Sequence, residues 1–93
     1  MKHTIYTFTH INTYGNLIEL EHFGGEYNAE AAMDKSISAK LDYLKSCGWD
    51  ITDKNKIRVE RSDDGKSAIL YYGESHEDFD ITERTIEIET YIV

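Results

Sequence analysis

The sequence predicts an α+β domain with the order β-β-α-β-β-β, in which a mainly antiparallel sheet of four or five strands carries one helix on one face. Three observations support this. Alternating apolar and polar residues run through 3–23, 57–72 and 84–93; a single stripe of helical period runs from Ala29 to Leu44; and Asp64-Gly65 marks a tight turn between two alternating runs.

From His3 to Phe23 the chain is rich in Thr, Ile, Tyr and Phe, broken by "TYGN", which reads as a hairpin. With Gly15-Asn16 as a two-residue loop, Tyr14 opposes Leu17, Asn12 opposes Glu19, His10 opposes Glu21 and Ile11 opposes Leu20. Ile11, Ile18 and Leu20 are then the apolar side, and Glu19 and Glu21 point away from it.

A Gly24-Gly25 hinge leads into the helix, with Asn28 as its expected N-cap and Gly48 as the left-handed residue past its end. Ala29, Met33, Ile37, Leu41 and Leu44 form one stripe able to lie across a sheet. In "KIRVERSDDGKSAILYYG", pairing outward from Asp64-Gly65 sets Arg61 opposite Ala68, Val59 opposite Leu70 and Ile57 opposite Tyr72 as the buried face. Arg58, Glu60, Ile69 and Tyr71 fall on the other. The last strand, 84–93, alternates Ile86, Ile88 and Ile92 with Glu87, Glu89 and Tyr91. "ESHEDFD" before it reads as a connecting loop.

With 93 residues the chain is expected to be a single domain, 1–93, and 40% hydrophobic with 12% aromatic residues is enough for a packed core. The formal charge of −8 disfavours direct contact with nucleic acid or an anionic membrane. A lone cysteine, Cys47, and the absence of a signal-peptide pattern at the N-terminus suit a cytoplasmic protein.

The negative charge is uneven. Residues 19–34 hold five acids and no Lys or Arg, and residues 67–93 hold seven acids against one base. Glu19, Glu21, Glu87 and Glu89 alternate with apolar residues, so they are expected on the helix-free face, at about 6.7 Å spacing along each strand. Glu74, Glu77, Asp78 and Asp80 add acid in the loop, and Tyr71 and Tyr91 point outward as interface anchors. These ten residues form the candidate partner-binding set.

Chemistry of other kinds finds less support. "ESHEDFD" has ligand-type side chains for a divalent metal but matches neither a calcium-binding hand nor a zinc motif. The four histidines are dispersed, with His10 expected as a surface imidazole near Glu21, and no nucleophile, base and orienting group are arranged as a catalytic set. No enzyme activity and no cofactor are therefore expected.

The expected function is that of a small acidic interaction or inhibitor protein, a nucleic-acid mimic that occupies the basic surface of a nuclease or effector complex. In size and charge the chain is similar in kind to phage-encoded anti-CRISPR and anti-restriction proteins and to acidic nuclease-immunity proteins, a resemblance that rests on no alignable motif. The alternatives are a ligand- or metal-binding module using the 74–80 loop, and a structural homodimer or subunit; the chain itself is expected as a monomer or homodimer.

Overall fold

In the computed structural model, which describes residues 1–87, the elements are strands β1 (Lys2–Ile11), β2 (Leu17–Phe23), β3 (Ile57–Arg61), β4 (Ser67–Tyr72) and β5 (Ser75–Glu87), with one helix, α1 (Glu26–Ser46), between β2 and β3. The five strands make one antiparallel sheet in the order β2-β1-β5-β4-β3. The α+β class and the β-β-α-β-β-β order follow the sequence reading. No helix among the described residues is long and apolar enough to cross a membrane.

Alternation decides which side of each strand the helix covers. Phe8, Ile57, Ala68, Leu70, Phe79 and Ile81 are at most 5% exposed and form one core with Ala29, Met33, Ile37 and Leu44 of α1. Leu41 packs against that core, so the expected stripe is the buried face of the helix. The helix begins earlier than expected. Gly25 occupies the N-cap with no side-chain cap bond, and Asn28 lies within the first turn. Its end is as expected: Gly48, at φ 96°, donates to Lys45 O and Trp49 donates to Leu44 O, satisfying two otherwise orphaned carbonyls.

The β3–β4 register is the expected one, with Ile57 opposite Tyr72, Val59 opposite Leu70 and Arg61 opposite Ala68. Arg61 nonetheless lies at the exposed edge, its guanidinium 2.8 Å from Asp34 Oδ1.

The first hairpin departs from its expected register. Its loop spans Asn12 to Asn16, held by Asn12 Oδ1, which accepts from the backbone N–H of both Tyr14 and Asn16. His10 therefore opposes Glu19, Phe8 opposes Glu21, and a bulge leaves Ile18 as an extra residue. An Asx-stabilised loop replaces the two-residue turn because the Asn12 side chain supplies acceptors that the shorter turn would leave unused.

The largest correction concerns "ESHEDFD". It is the first half of β5, in the middle of the sheet, paired to both β1 and β4. The turn before it is Gly73-Glu74, and Gly73, at φ 59°, takes the positive dihedral a two-residue hairpin needs at its first position. A Cβ there would also lie 3.0 Å from Trp49 Cη2, so a side chain at this position meets both backbone strain and a crowded ring. Beyond the pairs Tyr6–Phe23 and Ser67–Asp80, residues 2–5 and 84–87 pair only with each other among the described residues.

Candidate partner-binding cleft

Tyr6, Phe8 and His10 follow one another on the helix side of β1, and Glu77, Phe79 and Ile81 do the same on β5. The aromatic and aliphatic members of each run set the phase, so His10 and Glu77 are carried inward with them. His10 is 7% exposed and Glu77 3%. His10 stacks on Phe79 with ring centroids 4.3 Å apart and donates through Nε2 to Glu77 Oε1 at 2.5 Å.

Glu77 Oε2 accepts from the Tyr72 hydroxyl at 2.6 Å and from Lys40 Nζ at 3.0 Å. Burial alone would raise the Glu77 pKa, but the bonds from Tyr72, Lys40 and His10 together hold it below the usual carboxylate range. Burial likewise lowers the Lys40 pKa, and the bond to Glu77 with its charge outweighs this and raises it. Tyr72 is pushed up by burial and by donating to Glu77. An ionised glutamate, a charged lysine and a neutral phenol are thus the mutually consistent set. Among the described residues no buried side-chain polar atom lacks a hydrogen-bond partner.

Above this network α1 and the β1–β2 hairpin enclose an open cleft of about 580 Å³. Its floor is Phe8, His10, Tyr72 and Glu77, and its sides carry Tyr14, Tyr43, Lys35, Glu19 and Glu21. Glu19 is tied to the helix, accepting from Ser36 Oγ at 2.6 Å and lying 3.3 Å from His10 Nδ1. Glu21 is exposed and has no ion-pair partner among the described residues.

The ten candidate residues therefore do not share one face. Glu19 and Glu21 lie on the helix side, not the helix-free side, because the aromatic run Tyr6-Phe8 with Phe23, rather than Ile11 with Leu20, faces α1. Leu20 is left 53% exposed. Glu77 is a buried structural acid rather than a surface one. Asp78 and Asp80 occupy the open face of β5, half-buried, and burial with the neighbouring Asp78 raises the Asp80 pKa.

Tyr71 also lies on the open face, but the Arg58 guanidinium covers its ring at 4.3 Å. Glu74 is exposed in the β4–β5 turn. Glu87 ends β5, where its carboxylate lies 4.0 Å from the Met1 amine, and its phase is that of Phe79 and Ile81 rather than its opposite. Glu89 and Tyr91, with Ile88 and Ile92, lie outside the described residues.

Alternation also separates the acids of the 74–80 segment: Glu77 points to one side of the sheet, Asp78 and Asp80 to the other. No group of three His, Cys, Asp or Glu among the described residues has metal-binding geometry.

Lys40, His10, Tyr72 and Ser36 were not among the expected site residues. Two of them left a signal. Lys40 falls at stripe positions 33, 37, 40 and 44 of the helix, and His10 continues the alternation of Tyr6 and Phe8. No family model, curated protein or solved structure matches the chain.

Proposed function

We propose that this chain is a small acidic interaction protein, with no catalysis of its own, that occupies a basic nucleic-acid-binding surface of a larger protein in the cytoplasm. On this reading it acts as an inhibitor of the anti-CRISPR, anti-restriction or nuclease-immunity kind. The observation that carries the reading is Glu21, an exposed carboxylate that has no counter-ion among the described residues and shares the lip of the cleft with Glu19. A rigid strand presents the two about 6.7 Å apart, ready to take Lys or Arg side chains that otherwise hold phosphates.

Tyr14 and Tyr43, 87% and 59% exposed, stand at the same cleft and offer apolar area with a hydroxyl for a partner. The net charge of −8 adds long-range attraction to a basic surface. The His10–Glu77 pair belongs to the scaffold in this reading, since both carboxylate oxygens of Glu77 are already engaged inside the protein.

The test is to recover the partner by affinity purification and then titrate this chain against the purified partner bound to DNA or RNA. Release of the nucleic acid is expected, with Glu21→Lys weakening the effect most at low salt while its circular dichroism is unchanged. A partner that keeps its nucleic acid, or a variant as potent as the parent, contradicts the proposal. A second reading, a small-ligand module, is favoured by one observation, the open cleft of about 580 Å³ lined by both apolar and polar side chains.

A further inference from the structure

The two edges of the sheet differ in kind. The β3 edge is five residues long and carries exposed Arg58, Glu60 and Arg61, the first two joined to each other and the third joined to Asp34. A short charged edge of this sort resists pairing with another chain. The β2 edge is seven residues long, and Leu17, Ile18 and Leu20 are 54%, 52% and 53% exposed. Among the described residues it pairs only with β1, so its other side offers unused main-chain donors and acceptors.

The geometry points to β2 as a docking edge on which an extended, basic segment of the partner adds as a sixth strand. The inference rests on the reading of the chain as a binder of basic partners, and it specifies how the contact is made. Side chains directly opposite each other on paired strands share a face. Alternate residues of the incoming strand would therefore meet Glu19 and Glu21 on the cleft side and Leu20 on the open side. Lys or Arg suits the first set and an aliphatic residue the second.

Charge also argues against the other available occupant. A second copy of β2 placed antiparallel about Leu20 sets Glu19 against Glu21 twice, and like charges directly opposite are destabilising. Main-chain bonding gives such a contact its affinity and the side-chain alternation gives it specificity.

The probe is a seven-residue peptide, matching β2 in length, that alternates lysine with valine. Two further peptides of the same sequence each carry three N-methyl groups, one at positions 3, 5 and 7 and one at positions 2, 4 and 6, so that charge and methyl content are equal. Isothermal titration at low salt is expected to show the parent and one methylated peptide binding alike and the other binding about tenfold or more weaker, since only one phase of N–H faces β2. Leu20→Lys in this chain should abolish binding of all three with the fold retained.

Equal affinity of the two methylated peptides overturns strand addition and leaves the acidic reading standing. Failure of all three peptides to bind the parent chain overturns both. A concentration-dependent mass in sedimentation that Leu20→Lys abolishes would assign the edge to self-pairing and overturn the proposal.

Discussion

Replacing Glu77 by leucine removes the acceptor on which His10, Tyr72 and Lys40 converge at 2.5, 2.6 and 3.0 Å. Removing one partner of a buried pair costs roughly 3 to 5 kcal/mol, because the remaining charge stays desolvated. The Lys40 side chain is 24% exposed and can turn partly to water, which places the loss near the lower end, about 3 kcal/mol. For a domain of 93 residues the total is about 5 to 14 kcal/mol, so the variant should fold with little margin.

Urea unfolding followed by tryptophan fluorescence measures this, and with a slope of about 1 kcal/mol per molar the midpoint should fall by about 3 M. Adding Lys40→Met to Glu77→Leu should recover about 1 to 2 kcal/mol relative to the sum of the single changes, as contacting charges are coupled. A single-variant loss below about 1 kcal/mol, or strict additivity, would refute the claim that these residues act as one unit.

The pH dependence has a definite sign. Glu77 has a depressed folded pKa, so its contribution is present above the unfolded glutamate value and is lost as pH falls through the folded value. Lys40 and Tyr72 have raised folded values, so theirs is present below the unfolded values and is lost as pH rises through the folded ones. Glu77→Gln should flatten the acid limb of a stability profile.

Two further substitutions test other parts of the structure. Asp80→Asn should stabilise the protein at neutral pH by a few tenths of a kcal/mol after solvent screening, because a raised carboxylate pKa marks a charge that folding disfavours; the gain should vanish in acid, where Asp80 is itself protonated, and a loss in thermal midpoint at neutral pH would contradict it. Gly73→Ala should cost about 1 to 3 kcal/mol, since its φ of 59° and the approach of Trp49 act together, and an unchanged urea midpoint would contradict that.

The parts of the fold legible in the sequence are those fixed by local rules. Asp64-Gly65 specified the β3–β4 register, and the stripe Ala29, Met33, Ile37, Leu41 and Leu44 specified the buried face of α1. The start of β5 was hidden because its first half reads as polar: Glu77, Asp78 and Asp80 are unusual in a central strand. They are tolerated because Lys40 and His10, from elements far away in sequence, and Tyr72, from the preceding strand, neutralise or bond Glu77, while Asp78 and Asp80 take the open face.

The site suffered from the same cause. Which side of β2 bears Glu19 and Glu21 was decided by Phe8 packing with Phe79 and Ile81 across β5, a long-range choice that the apolar residues of β2 itself do not reveal. The glycine of the β4–β5 turn was a missed local signal, since Gly-X between two alternating runs favours a two-residue hairpin.

The pairing of β1 with β5 also governs the order of assembly. Phe8 meets Ile81, so β1 finds its central neighbour only after the helix and the second hairpin have been synthesised. Until then the β1–β2 hairpin has no inner strand neighbour, and the main-chain edge of β1 that pairs with β5 remains open. Contacts this distant in sequence slow folding, and the unpaired nascent hairpin is the species most open to misassociation or chaperone capture.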